Sequence, residues 1–161
     1  MKREQPRLGQ ESVWDYPRPP ILERSSKHVL VSFAGYPVAQ SSEAYRVLET
    51  SHPPSWYLPP DSLQSDLLIC TLKQSFCEWK GRATYWTVRA GGNTVDNAAW
   101  SYSAPEPAFA AIRDYFAFYP GIFECYVEGE RVKPQPGGFY GGWITKDVAG
   151  PFKGIPGSSG W

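Results

Sequence analysis

Hydrophobic positions along the chain recur at every second residue in several short runs, and glycine turns separate them. Val29, Val31 and Phe33 alternate, a turn follows at Gly35-Tyr36-Pro37, and Val38 opens a return strand towards Gln40. A central hairpin spans Phe76 to Tyr102. Its strands surround Trp79 and Tyr85 to Ala90, and beyond a Gly91-Gly92-Asn93 turn Thr94 to Ala99 leads into Trp100-Ser101-Tyr102. A third hairpin is predicted over Phe123 to Val132, turning at Glu128-Gly129-Glu130. Trp56-Tyr57-Leu58 and Leu67 to Leu72 read as further strands. Helical spacing is found in two places. Ser41 or Ser42 can cap a short helix through Leu48 that stops near Thr50, because His52-Pro53-Pro54 cannot continue it. Pro105 to Tyr119 places Phe109, Ile112, Phe116 and Tyr119 on one helical face, with Pro120-Gly121 as the stop.

The hairpins echo one another: Val31, Gly35, Val38 and Ser41 match Val88, Gly92, Val95 and Ala98 in spacing. The fold class expected is mainly β or α+β, with curved antiparallel hairpins in a tent-like or half-barrel sheet arrangement and one or two short helices. A Rossmann sheet is excluded, since there is no G-x-G-x-x-G and no βαβ alternation. Three parts are expected: an extended N-terminal strap over 1–27, held by Trp14 and Tyr16; a core of repeated hairpins over 28–133; and a Gly/Pro/aromatic extension over 134–161, which either docks through its aromatic residues or forms a tail.

Sixteen prolines, fifteen glycines and a high aromatic content favour short strands and turns over a helical bundle. The 16 basic and 16 acidic residues cancel, leaving no long-range field to attract nucleic acid or an anionic membrane surface. No apolar run approaches the ~20 residues of a membrane span, and the polar N-terminus lacks the apolar core of a signal peptide. A soluble cytoplasmic protein is expected. Cys70, Cys77 and Cys125 are odd in number and lack metal-ligand spacing, which suggests reduced thiols, and no metal site is expected.

A set of ordered motifs resembles a known family: Val-Trp-Asp-Tyr-Pro-Arg-Pro-Pro at 13–20, Arg46 to Thr50 with His52-Pro53-Pro54, Tyr57 to Asp61, Cys77-Glu78-Trp79-Lys80-Gly81 with Ala83, Tyr85 and Trp86, and Ala99-Trp100-Ser101-Tyr102. In that order they resemble the domain of unknown function 427, over roughly 14–132. The closing Gly-Gly-Phe-Tyr-Gly-Gly-Trp and Gly-Pro-Phe-Lys-Gly segments are similar to a cyanobacterial-type branch. The resemblance implies a small domain, sometimes present twice in a chain, with no established activity. A nucleotidyltransferase label attached to the family would call for two or three placed carboxylates and a phosphate loop. Asp61, Asp66 and Asp96 are scattered instead, and Gly91-Gly92 sits in an ordinary hairpin turn.

Candidate chemistry gathers around the central hairpin. Trp79, Tyr85, Trp100 and Tyr102 can supply an aromatic surface for a small molecule, Lys80 a point charge for an anionic group, and Arg46 an orienting charge. Glu49 and His52, three residues apart at the expected helix end, could work in proton transfer, with Cys77 beside Lys80 as nucleophile. The plainer alternatives are a core aromatic stripe, a hairpin-edge lysine, a helix-terminal histidine and a structural cysteine. Small-molecule binding is the leading expectation, an enzyme at the same place the alternative, and a protein partner engaging the two termini a third. Any cofactor is unknown from the sequence.

Overall fold

The computed structural model describes residues 1–161. Strands β1 (Glu11–Ser12), β2 (Ile21–Arg24), β3 (Val29–Phe33), β4 (Tyr36–Ser41), β5 (Tyr45–Leu48) and β6 (Ser55–Tyr57) precede three long ones, β7 (Leu68–Cys77), β8 (Gly81–Ala90) and β9 (Asn93–Ser101). Shorter strands follow: β10 (Phe116–Phe118), β11 (Glu124–Val127), β12 (Glu130–Arg131), β13 (Lys133–Pro134), β14 (Trp143–Ile144) and β15 (Val148–Ala149). The two larger sheets have the orders β10-β9-β8-β7 and β12-β11-β3-β4, and a third has the order β2-β5-β6. All their pairings are antiparallel.

Three hairpins close through one kind of turn. The paired central residues Ala34-Gly35 (φ 49°, 80°), Gly91-Gly92 (56°, 78°) and Glu128-Gly129 (49°, 79°) are all left-handed, as in a type I′ turn whose twist matches the flanking strands. The spacing echo in the sequence is thus a repeated turn geometry.

The main core lies between the two larger sheets. Val29, Val31 and Cys125 of one meet Val88, Ala98 and Phe118 of the other, all completely buried. Trp143 closes this core, stacked on Trp56 with its indole N–H donating to the Phe118 carbonyl at 3.1 Å. A second cluster on the opposite face of the β7–β10 sheet contains Tyr57, Tyr85, Trp100, Tyr102 and Phe109.

Both expected helices are corrected. Residues 45–48 form β5, hydrogen-bonded to β2 on one side and β6 on the other. Ser41 Oγ does accept the Glu43 N–H at 2.9 Å, but it closes a turn. So short a helix gains little on its own, whereas the strand fills the centre of a sheet. Over 105–119 only Pro107–Ile112 is helical, as a 3-10 segment broken at Phe109. The chain turns at Asp114 (φ 62°), and Phe116–Phe118 then pairs as β10 with β9 while Phe116 exchanges backbone hydrogen bonds with Leu58. The i, i+3 spacing of Phe109 and Ile112 also suits a 3-10 turn, and sheet pairing takes over beyond it.

Both terminal segments pack on the hairpins. β1 pairs in parallel with β15, and the Trp14 indole N–H donates to the Pro151 carbonyl at 2.9 Å. β13 and β14 form a hairpin, and the Trp143 amide donates to the Pro54 carbonyl at 2.8 Å. Gly141 and Gly142 let this segment lie flush: a Cβ at Gly141 would enter the Trp100 ring, and one at Gly142 would collide with Gln135 and Pro53.

Candidate functional site

A cavity of about 770 Å³ lies between the second aromatic cluster and the C-terminal segment. Strand alternation builds its inner wall. Tyr85 of β8 and Trp100 of β9 are directly opposed across the strands, and Tyr102 lies two residues further along on the same face. Trp86 and Ser101 point to the other face, where the Trp86 indole donates to Ser101 Oγ at 2.9 Å. Tyr57 on β6 adds a fully buried ring, its hydroxyl accepting the Trp100 indole N–H at 3.2 Å.

Lys73, Ser75 and Cys77 on β7, followed by Lys80 in the β7–β8 turn, make a second side. Ser75 Oγ and the Tyr85 hydroxyl are 2.9 Å apart. Gln135, Tyr140 and Lys153 of the C-terminal segment make a third, and Glu49 and His52 stand beside it. Burial, the largest cause, raises the pKa of Tyr57, Tyr102 and Tyr119 above the ordinary phenol value, so each is a neutral hydroxyl able to donate.

Lys80 is half-buried and makes no ion pair with an acidic side chain. Burial works against its charge, but Tyr57, Cys77 and Glu49 outweigh burial and hold its pKa above the ordinary lysine value. Its ammonium lies 5.9 Å from the ring centres of both Tyr102 and Phe109. Lys73 and Lys153 likewise rest on rings lining the cavity, 4.6 Å from that of Tyr85 and 5.7 Å from that of Tyr140.

Glu49 is engaged by Arg18, whose Nε lies 3.3 Å from a carboxylate oxygen. His52 follows a tight turn in which its amide donates to the Glu49 carbonyl at 3.0 Å, so no helix dipole acts on it. Gln135, only 3% exposed, defines the imidazole tautomer. Its Oε1 accepts the Gly142 N–H at 3.1 Å, so its Nε2 donates to the Lys153 carbonyl at 2.9 Å and to His52 Nδ1 at 3.1 Å. The His52 proton therefore sits on Nε2, which faces Glu49 at 3.8 Å. Burial and then the charges of Lys153, Arg18 and Lys80 lower the His52 pKa against the opposing effect of Glu49.

Of the residues singled out in the sequence, Tyr85, Trp100, Tyr102, Lys80, Cys77, Glu49 and His52 border this one cavity. Trp79 and Arg46 do not: Trp79 packs half-buried against the aromatic cluster. Arg46 lies on the opposite face of β5 from the cavity-lining Val47, bound to Glu11 and Glu23. Asp61, Asp66 and Asp96 are also outside the lining, and no group of three His, Cys, Asp or Glu side chains is arranged to hold a metal. Gln135, Tyr140 and Lys153 were not anticipated; the only signal was the glycine-aromatic spacing of their segment.

The molecule is thus a mostly antiparallel β domain with a cavity of about 770 Å³ rich in aromatic rings. Residues 21–132 match the family described as a domain of unknown function (DUF427), and the chain belongs to that family. No curated protein matches it. The third side of the cavity comes from residues beyond the matched span. No helix is long and apolar enough to cross a membrane.

Proposed function

We propose that this domain binds a small molecule in the cavity between the β7–β10 sheet and the C-terminal segment. The observation that carries this reading is the shared face of Tyr85, Trp100 and Tyr102, an apolar surface of rings beside neutral hydroxyls and the Lys80 ammonium. Ligand sites combine such apolar area with a few polar groups that fix orientation, and a volume near 770 Å³ suits a drug-sized molecule. Acid–base catalysis through Glu49 and His52 is less well supported. The lone pair of His52 Nδ1 is taken by Gln135, and Glu49 is held by Arg18.

A ligand-observed fragment screen on the full chain tests the reading, with Ser75→Trp as the blocking variant. Ser75 is exposed on the lining of the cavity, so a larger side chain there obstructs the space without replacing core. Fragments that bind the unaltered protein should be lost in the folded variant. An equal set of hits in both proteins, including none in either, overturns the reading.

A further inference from the structure

The cavity carries a charge that the chain as a whole does not. Lys73, Lys80 and Lys153 line it from three different segments, and none pairs with an acidic side chain. Lys153 Nζ reaches only the Trp161 backbone oxygen, at 3.3 Å. The single lining carboxylate, Glu49, is engaged by Arg18. In a chain whose 16 basic and 16 acidic residues balance, three lysines without acidic side-chain partners around one cavity lined by rings and polar groups form a local excess.

Lys80 is the most informative of the three. A half-buried ammonium loses part of its hydration and is ordinarily compensated by a carboxylate. Here its surroundings are rings, the hydroxyl of Tyr57 and the side chain of Cys77, its hydrogen-bonding neighbour, with Glu49 contributing less. The neutral phenols of Tyr57 and Tyr102 can donate hydrogen bonds to an anion beside it but cannot neutralise it. Tyr85 and Trp100, paired across the strands and each 8% exposed, add to the lining the limited apolar surface that Lys73, Tyr119 and Gly141 leave open, against which a flat body can lie.

We infer that the ligand is a planar aromatic molecule bearing a carboxylate or phosphate, with the anionic group against Lys80 and the ring system on the Tyr85–Trp100 wall. This rests on the small-molecule reading above. Lys73 on β7 and Lys153 on the C-terminal segment supply the field that draws such an anion in, and Lys80 supplies the direct contact.

Three probes of one shape test it by calorimetric titration of the full chain: 2-naphthoate, 2-naphthyl phosphate and the neutral 2-naphthylmethanol. At least one anion should bind about ten-fold or more tightly than the alcohol, the scale of a charge-assisted hydrogen bond. Which anion binds better distinguishes carboxylate from phosphate. In Lys80→Met the alcohol should bind as before and the preference for the anion should collapse. Equal binding of all three probes, tighter binding of the alcohol, or a preference that survives Lys80→Met overturns the inference. Failure of every probe also overturns it, while fragments lost on Ser75→Trp would still stand for binding of another chemical class. The ranking in the unaltered protein decides even if Lys80→Met folds poorly.

Discussion

Gln135 donates its side-chain amide to Nδ1 of His52 at 3.1 Å, across 83 residues of chain, and thereby joins the C-terminal segment to the hairpin domain. The same side chain accepts from Gly142 and donates to Lys153, so one buried amide ties two backbone positions and the His52 ring together at the edge of the cavity. Replacing it with leucine keeps the approximate volume but leaves a buried N–H, a carbonyl and an imidazole nitrogen without partners. Gln135→Leu should cost about 3 kcal/mol, on the scale of unpaired buried polar groups. Urea unfolding measures this, and hydrogen exchange at Gly142 should rise alongside. An unchanged midpoint would mean that the amide contributes nothing to holding the segment.

The His52 imidazole gives the fold a pH dependence of definite sign. Burial first, then Lys153, Arg18 and Lys80, lower its pKa below the ordinary histidine value of about 6.5. The unfolded chain therefore takes up a proton at a higher pH than the folded one. This contribution to stability is complete above about pH 6.5 and is lost as the pH falls towards the lowered value. Urea midpoints measured from neutral to mildly acid pH should fall through that window, and the fall should be shallower in His52→Asn. Parallel curves for the two proteins would assign the acid sensitivity to other groups.

At Gly141 the C-terminal segment lies directly against Trp100 of the cavity wall. A methyl group there would enter the Trp100 ring, which is itself held by its hydrogen bond to Tyr57. Because the ring is pinned, the backbone must give way. Gly141→Ala should lose about 1–3 kcal/mol, the usual range for overpacking, and exchange protection should fall at the hydrogen-bonded amides of Gly142 and Trp143. A neutral substitution with unchanged protection would show that Trp100 yields instead.

The strands of the three hairpins were legible in the sequence because glycine turns bound them and their apolar residues alternate with period two, whereas the two-residue strands of the termini carry no such pattern. Glycine placement marks the turns at Gly35, Gly92 and Gly129, but not their type, and Tyr36 and Pro37, expected in the first turn, already belong to β4. The two expected helices failed for a physical reason. Apolar residues at i, i+3 and i+4 satisfy a helical template locally, and only non-local pairing with β2, β6 and β9 reveals them as parts of sheets. That error displaced one site residue. On a helix, Arg46 and Glu49 would share a face; on β5 with a turn after it, they part. Tyr85, Trp100, Tyr102 and Lys80 were accessible because the central hairpin is local in sequence. Gln135 was not, since a polar residue in a glycine-proline stretch has no periodic pattern, and its partners are a histidine 83 residues away and two backbone groups.

Arg46 supplies the last prediction, because its placement separates stability from binding. The side chain is 9% exposed, its Nη1 lies 2.9 Å from Glu11, its Nε donates to Glu23 at 3.0 Å, and its guanidinium sits 5.9 Å from the Trp56 ring centre. Removing one partner of a fully buried ion pair costs 3–5 kcal/mol as a rule of thumb. The two glutamates here are 44% and 45% exposed, so they can recover hydration when the arginine is gone. Methionine would also keep most of the packing against Trp56. Arg46→Met should therefore lose only about 1–2 kcal/mol in urea unfolding, below the fully buried range. Its affinity for 2-naphthoate should stay within about two-fold of the parent, under the ~1.4 kcal/mol of a ten-fold change. A ten-fold loss of affinity at that modest stability cost would mean that Arg46 acts on the ligand through β5, and that the two faces of the strand are coupled.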